Sequence, residues 1–264
     1  MEIISVINQK GGVGKTTTVI NLAAGLSQLK KRILVIDLDP QGNATTGLGL
    51  SNMDNSIDTI YGVLNGSKEI TQVIKKTKFD DLDIITSNVD LSGLEVETAD
   101  DSNRAFILKA KLTSYLNNSG GSYDYVLIDC PPSLSLLTVM ALVSSSSLLV
   151  PLQTEFFALE GLTQLMKTID RIKVNLNPDL KIRGILLTMY DKRNKLSSEV
   201  EREARDYFNE KVYSTVIPRN VRLSEAPSHG MPVLIYDKSC PGSKSYFNFT
   251  DEFINQELTK ESAA

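Results

Sequence analysis

The chain is poor in the residues that mark several classes of protein. Tryptophan is absent from its 264 residues, and it has one histidine, His229, and two cysteines, Cys130 and Cys240. The cysteines lie far apart and match neither a CxxC motif nor a metal-ligand spacing, which excludes a disulfide scaffold and indicates a reducing compartment. The sequence also offers no Ser/His/Asp or Cys/His combination for nucleophilic catalysis.

Long apolar runs are missing as well. None approaches the ~20 residues of a membrane-spanning helix, and the segment after Met1 lacks the basic and apolar regions of a signal peptide. We therefore expect a soluble cytoplasmic protein. The net charge of -4 gives no general attraction to nucleic acid but leaves room for a local basic patch. With 41% hydrophobic and 23% charged residues, the composition excludes a disordered chain.

The first 43 residues predict how the fold begins. A β-rich run over Ile3–Ile7 is followed by a glycine-rich stretch and by a helical pattern over Lys15–Leu29. A second apolar run, Arg32–Ile36, ends at Asp37. A strand, a helix and a strand within about 35 residues form a βαβ unit, which implies that the two strands run in parallel.

Runs of consecutive apolar residues predict strands that are buried on both faces, as in a sheet between two layers of helices. Helical patterns separate these runs, and we expect a loop over residues 117–122. We predict an α/β fold with a doubly wound, mostly parallel sheet flanked by helices. It forms one domain over residues 1–264, ending in a helix and tail over about 245–264. The further strands are expected at Leu82–Ile85, Tyr125–Ile128, Leu148–Leu152, Ile185–Leu187 and Val212–Ile217, and helices at Glu160–Val174 and Ser197–Asn209.

The strongest motif is a phosphate-binding loop between the first strand and the first helix. Its end fits the P-loop pattern GxxxxGK[ST], although Gln9 stands where the pattern has its first glycine. The glycines let backbone N–H groups approach an anion, and the positive end of the helix points at the same place. We expect Lys15 to reach the β- and γ-phosphates and Thr16 to offer its hydroxyl to Mg²⁺, as in a P-loop NTPase. The residues expected to bind ATP here are Lys10, Gly11, Gly12, Val13, Gly14, Lys15, Thr16 and Thr17.

Three aspartates follow predicted strands. Asp129 ends the run Tyr125–Ile128, and a carboxylate at that position lies in the crevice where doubly wound sheets bind ligands. We expect it to orient water on Mg²⁺. Asp37 and Asp39 are two residues apart and would point to one side of an extended chain. The alternatives are that Asp129 caps the next turn and that Asp39 is a turn residue before Pro40.

These motifs together make the sequence resemble the ParA/Soj/MinD family of deviant Walker A ATPases, whose mark is a second lysine at the start of the loop, here Lys10. The resemblance runs from residue 3 to about 245, and two of its segments look like the ParA/Soj branch specifically. The segments that carry it, besides the loop, are Asp37–Thr45, Asp129–Ser133, and the two branch-specific ones, Thr188–Asp191 and Val216–Ser228.

The resemblance implies roles that the patterns alone leave open. Asp39 would polarise the attacking water, and Asp37 would lie near the metal with Thr16 and Asp129. Lys10 would reach the phosphates of a partner subunit, like an arginine finger supplied in trans; a solvated loop lysine is the alternative. The expected catalytic residues are therefore Lys10, Lys15 and Asp39, and the expected cofactors are ATP and Mg²⁺. The residues expected at the nucleotide beyond the loop are Met189, Pro218 and Asn220.

Basic residues are concentrated in one part of the chain. Residues 181–244 hold 12 basic and 8 acidic side chains, so this segment carries +4 and the remainder -8. A phosphate-binding patch on an acidic protein has this distribution, and the resemblance favours DNA binding that is independent of sequence and sensitive to salt. Met231, where many relatives carry lysine, weakens the patch. The best candidates, in loop-like contexts, are Arg193, Lys195, Arg219, Arg222, Lys238 and Lys244.

The function that the resemblance implies is DNA partitioning. An ATP-bound homodimer would bind nucleoid DNA, and a ParB-type DNA-binding partner would stimulate hydrolysis and release. We expect no operator-binding domain before residue 3. A MinD-like regulator at the membrane surface needs a basic amphipathic C-terminal helix, whereas residues 251–261 are net acidic, so we expect no membrane partner. An iron–sulfur reductase needs two cysteines per subunit placed to bridge a cluster, and Cys130 and Cys240 do not match that arrangement.

Overall fold

The protein is built on one sheet. The computed structural model describes residues 1–50, 58–119 and 123–261, and eight strands among them lie in the order β3-β4-β2-β5-β1-β6-β7-β8. Every neighbouring pair is parallel except β3 and β4, which confirms the predicted fold class. The strands are β1 Glu2–Val6, β2 Ile33–Asp37, β3 Ile74–Lys76, β4 Leu82–Ile85, β5 Tyr125–Asp129, β6 Ser147–Gln153, β7 Lys181–Tyr190 and β8 Val212–Pro218.

Helices connect the strands and cover both faces of the sheet. None in the described part of the chain has the length and apolar composition that a bilayer crossing needs. The helices are α1 Lys15–Gln28, α2 Asn43–Gly47, α3 Ile60–Leu64, α4 Ile70–Val73, α5 Leu94–Glu97, α6 Ile107–Ser119, α7 Leu136–Ser144, α8 Ala158–Asn175, α9 Lys195–Phe208, α10 Val221–Glu225, α11 Val233–Tyr236 and α12 Pro241–Glu261.

The apolar runs of the sequence are explained by burial on both faces. Along β2, Ile33 and Val35 face a core that includes residues of α1 and α12, whereas Leu34 and Ile36 face a second core that includes residues of α3, α6 and α7. A third core lies between β6 and β7 and the helices α8 and α9. Side chains alternate along a strand, so a run that is apolar at every position requires a covering layer on each side.

The long C-terminal helix packs directly on the helix that follows the phosphate loop. Phe249 and Phe253 of α12 are fully buried, and the hydroxyls of Tyr246 and Thr18 lie 3.1 Å apart. A Cβ added at Gly25 of α1 would lie 2.2 Å from the Oγ1 of Thr250, so only glycine permits this approach. The C-terminal helix therefore helps to hold the loop helix against the sheet.

Most predicted elements agree with the structure to within a few residues at each end, and three features differ more clearly. The short strand β3 was not predicted; it pairs only with β4 and runs antiparallel to it. The expected loop over 117–122 is wrong at 117–119, because α6 continues through Ser119; residues 120–122 lie outside the described part. Strand β7 begins at Lys181, before its apolar run, because its first residues pair with β6 while their side chains are partly exposed.

Strand β8 lies at one margin of the sheet, and two side chains occupy its outward peptide groups. The carboxylate of Glu252 accepts hydrogen bonds from the N–H groups of Ser214 (2.6 Å) and Thr215 (2.8 Å). The guanidinium of Arg205 donates to the carbonyl oxygens of Tyr213 (3.1 Å) and Ser214 (3.3 Å). These contacts protect an edge that would otherwise offer unpaired backbone groups.

Candidate nucleotide-binding site

The phosphate loop joins the carboxyl end of β1 to the first turn of α1. Gly14 precedes the helix in the left-handed conformation with φ of 90°, and Gly12 has φ of 74°. Residues with a side chain rarely adopt a positive φ, so the turn itself requires glycine at these two positions. The loop and the start of α1 line a cleft of about 600 Å³ together with Asp39, Asn43, Pro132 and Met189.

Lys15 and Lys10 have different surroundings. Lys15 is 7% exposed, and its ammonium donates a hydrogen bond to the carbonyl oxygen of Lys10 at 3.2 Å. Burial lowers the pKa of Lys15, while the charges of Asp129 and Asp39 act in the opposite direction. The side chain of Lys10 instead forms an ion pair with Glu155 at 2.9 Å, and about half of it is exposed. Of the two loop lysines, only Lys15 lines the cleft of its own chain.

The strand register places Asp129 beside the phosphate loop. Asp129 pairs with Val6 of β1 on one side and with Asp37 of β2 on the other. It is completely buried, and among the described residues no donor makes a hydrogen bond of good geometry to either carboxylate oxygen. Burial and the nearby charge of Asp37 raise the pKa of Asp129 well above its usual range, and the Thr16 hydroxyl and Lys15 oppose this rise. Two buried carboxylate oxygens whose lone pairs are left without well-placed donors form a site that suits a cation.

Asp37 is equally buried but differs from Asp129 in its hydrogen bonds. Its Oδ2 accepts from the N–H of Thr45 (2.8 Å) and from the Thr45 hydroxyl (2.7 Å), and its Oδ1 accepts from the N–H of Asp39 (3.2 Å). Burial raises the pKa of Asp37 to about 6, although these bonds lower it. Asp37 thus holds the segment that follows β2, and its predicted role as a metal ligand stays a prediction.

Asp39 lies two residues beyond β2, where the chain turns into the cleft. It is 8% exposed, and its Oδ1 accepts a hydrogen bond from the N–H of Gln41 at 3.0 Å. No group of three or more His, Cys, Asp or Glu side chains could hold a metal anywhere in the described ranges. Magnesium bound with phosphates needs only one or two carboxylates, so Asp129 with the Thr16 hydroxyl fits such an ion.

A second cleft of about 470 Å³ adjoins the first and shares Gly14, Thr17 and Met189 with it. Met189 has φ of 53°, which is unusual for a residue with a side chain. The predicted residues Pro218 and Asn220 also line this cleft. Asn220 uses its side-chain oxygen to cap α10 through the N–H of Arg222 at 3.0 Å, which leaves its amide donors for a ligand. Sequence reasoning missed Tyr246 of α12, which lines the cleft from a distant part of the chain.

The six candidates for DNA binding are all exposed, but they fall into two groups. Arg193, Arg219 and Arg222 form ion pairs with carboxylates of this chain. Lys195, Lys238 and Lys244 form none with the described residues. The prediction of loop-like contexts is wrong for three of the six, because helices α9, α10 and α12 contain Lys195, Arg222 and Lys244 respectively. Exposed, charged positions on a helix carry no apolar signal that separates them from a loop.

Replacing Asp129 tests the unpartnered buried carboxylate. Asp129→Asn is expected to raise the free energy of unfolding of the metal-free, nucleotide-free protein by about 1–2 kcal/mol near pH 8, because it removes a buried group that is costly to ionise. Because the folded-state pKa of Asp129 is raised, this cost grows as the pH rises from the unfolded-state pKa toward the folded-state pKa. The gain should therefore shrink at about pH 5, which urea denaturation at several pH values would measure.

The exposed Asp179 provides the matched control, and Asp179→Asn should leave the unfolding midpoint unchanged. If Asp129→Asn instead lowered the free energy of unfolding near pH 8, the prediction would be wrong. Interactions within the fold would then stabilise the ionised carboxylate.

The sequence matches known proteins over most of its length. A family model described as an AAA domain matches residues 1–182. The chain is 49% identical over 264 residues to the chromosome partitioning protein ParA of Caulobacter vibrioides, covering 100% of this chain and 98% of the relative. It is 47% identical over 251 residues to the sporulation initiation inhibitor protein Soj of Bacillus subtilis, covering 95% of this chain and 97% of the relative.

The fold is also found among solved structures. The cobyrinic acid a,c-diamide synthase of Mycobacterium smegmatis, solved with bound ADP and magnesium, matches with a TM-score of 0.81 and 33% identity, covering 95% of this chain and 93% of that chain. The curated relatives are more similar in sequence, and their names agree with the resemblance seen in the loop and its flanking segments. The chain therefore belongs to the ParA/Soj family of chromosome-partitioning ATPases.

Proposed function

We propose that this ATPase pairs two copies of itself around Mg²⁺–ATP, that the pair binds DNA without sequence preference, and that a ParB-type partner stimulates hydrolysis and releases it. The observation that carries this proposal is the position of Lys10. Its ammonium lies outside the cleft of its own chain, on an exposed surface beside Glu155, where a second subunit can reach it. Of the two loop lysines, Lys15 is the one that lines the phosphate cleft of its own chain.

The residues around the cleft fit ATP and magnesium. The Mycobacterium smegmatis neighbour was solved once with ADP and magnesium and once with an ATP analogue and magnesium. The loop N–H groups and Lys15 would bind the phosphates, and Asp129 and Thr16 would hold the ion. When bound, the ion would neutralise the developing phosphate charge. Asp39 would orient the attacking water from the turn after β2. The second cleft, with Met189, Pro218 and Asn220, would take the adenine.

Two exposed aromatic side chains support a second copy on this face. Phe156 and Phe157 directly follow Glu155, and they are 73% and 68% exposed. Their rings pack edge to face, with centroids 5.0 Å apart. Adjacent exposed phenylalanines beside a functional surface are typical of an interaction site. They directly follow, in the chain, the ion-pair partner of Lys10, which the proposal places between the subunits.

The positions of the basic candidates support a DNA-binding surface at the carboxyl ends of β7 and β8 and on the helices that follow. The Arg219 N–H donates to the carbonyl oxygen of Tyr190 at 3.1 Å, which joins the ends of the two strands. The Arg222 guanidinium lies 3.5 Å from Asp237, the residue before Lys238. Leu223 and Asn220 of the same segment line the adenine cleft, so the proposed DNA surface adjoins the nucleotide. Association with nucleoid DNA would follow from such binding.

The experiment that tests the proposed function compares DNA binding with ATP and with ADP on the purified protein. We expect binding to non-specific duplex DNA with ATP and magnesium, little binding with ADP, and a steep loss as salt is added. Equal binding with both nucleotides would contradict the proposal. Binding to anionic lipid vesicles in place of DNA would favour a regulator of the membrane surface.

Arg222→Glu is expected to weaken DNA binding about tenfold at low salt and to reduce the salt dependence, because a phosphate contact becomes a repulsion. ATP affinity should remain unchanged, since Arg222 does not line the adenine cleft. A salt titration by fluorescence anisotropy would measure both quantities. Arg171→Glu on α8 makes the same charge change outside the basic segment and serves as the control. Identical titrations for the two variants would exclude this surface.

A further inference from the structure

The carboxylate of Glu155 connects three parts of the nucleotide face. Its Oε2 accepts a hydrogen bond from the Lys10 ammonium at 2.9 Å. Its Oε1 accepts one from the side-chain amide of Gln153 and lies 3.7 Å from the Arg219 guanidinium. Gln153 is the last residue of β6 and is 9% exposed. A buried amide on a strand therefore orients this carboxylate.

The backbone of Lys10 is fixed independently of its side chain. Its N–H donates to the side-chain oxygen of Asn8 at 3.0 Å, and its carbonyl oxygen accepts from Lys15 at 3.2 Å. Only the Lys10 side chain is thus free to change partner. If its ammonium binds the phosphates of a second subunit, it must give up the ion pair with Glu155.

We propose that Glu155 is a positioning residue that retains Lys10 on its own subunit until a second, nucleotide-bound subunit takes the lysine. This inference rests on the proposed function, in which Lys10 acts between two copies. The ion pair is nearly half exposed at each partner, with 46% and 45% of the side chains accessible. The pair therefore has the strength of a surface ion pair. This is enough to favour Lys10 staying with Glu155 without preventing its transfer to a second subunit.

The first test measures pairing directly. Glu155→Gln removes the charge and keeps the shape of the side chain. We expect the protein concentration at the midpoint of dimerisation with AMPPNP and magnesium to fall about two- to fivefold in sedimentation velocity. The difference should shrink at about 0.5 M salt, which screens an exposed ion pair. Glu160→Gln, a charge removal on an exposed residue of α8, is the matched control and should leave the midpoint unchanged.

The second test needs no dimer. An ammonium held by a carboxylate is less available for acylation, so Lys10 of the nucleotide-free protein should react about two- to fivefold faster with an acetylating reagent in Glu155→Gln. Mass spectrometry would follow Lys10, with the exposed Lys238 as the internal reference. An unchanged Lys10 rate in Glu155→Gln would overturn the proposal.

A double variant distinguishes the holding of Lys10 by Glu155 from a general effect of the Glu155 charge on dimerisation. In a Lys10→Ala background, Glu155→Gln should no longer shift the dimerisation midpoint. The same shift in that background would show that Glu155 acts without Lys10 and would overturn the proposal. If AMPPNP pairs no copies of the unmodified protein, the proposed function fails, while the Lys10 acetylation rates still decide whether Glu155 retains the lysine.

Discussion

Asp39→Ala should lower kcat for ATP hydrolysis by about 100- to 1,000-fold, the range expected when a positioned acid–base group is lost. Asp39 lies in the phosphate cleft and is almost completely buried. Among the described residues, its carboxylate accepts a hydrogen bond only from the N–H of Gln41, at 3.0 Å. ATP binding should remain within about threefold, because phosphate binding falls to the loop N–H groups and Lys15. Phosphate release and nucleotide affinity would be measured on the same preparation.

The slow variant should also remain paired after ATP is added, because in the proposed cycle release follows hydrolysis. Asp179→Ala, an exposed change far from the cleft in sequence, is the control and should hydrolyse ATP normally. Rapid turnover by Asp39→Ala would contradict its assignment to the attacking water. If nucleotide binding were lost together with activity, Asp39 would instead contribute to binding ATP and not specifically to the hydrolysis step.

Gly11→Val should raise the protein concentration needed for ATP-dependent pairing by about 10- to 100-fold, because the added side chain would crowd the surface that the proposed function places between subunits. The monomer itself should tolerate the change. A Cβ at Gly11 would meet only the Cβ of Pro132, at the ordinary contact distance of 3.8 Å. Gly11 is exposed and, unlike Gly12 and Gly14, does not have a positive φ. ATP affinity of the monomer should therefore be preserved.

Light scattering with AMPPNP and magnesium would measure this effect. Gly161→Val on α8 adds the same side chain at an exposed glycine with no neighbour within 4 Å, and it should pair normally. A normal dimer of Gly11→Val would remove the model in which the loop faces a second subunit.

The sheet and the phosphate loop could be predicted because each depends on local sequence. The run Leu82–Ile85 gave the exact bounds of β4, and the first helix was placed within one residue of its end. Strand β3 could not be predicted in this way. Its three residues, Ile74–Lys76, show neither an apolar run nor alternation, and its pairing with β4 comes from tertiary contacts.

In the candidate site, too, local sequence reveals some residues, whereas others depend on contacts between distant parts of the chain. Asp129 could be found because it ends an apolar strand, and its side chain is buried beside the loop. The ion pair of Lys10 with Glu155 could not, since 145 residues separate them and neither position has a distinctive pattern. Tyr246 was missed for a similar reason: its place in a cleft depends on how α12 packs on α1. Sequence identifies the chemistry of a loop, whereas folding decides which distant groups surround it.

The outer margin of β8 limits how copies of this chain can associate. Glu252 and Arg205 already satisfy the peptide groups of Ser214 and its neighbours. Strand-by-strand growth into a continuous fibre is thereby disfavoured on that side of the molecule. Association of copies is therefore left to other surfaces, and one carboxylate and one guanidinium, both distant in sequence from the phosphate loop, protect the chain against open-ended aggregation.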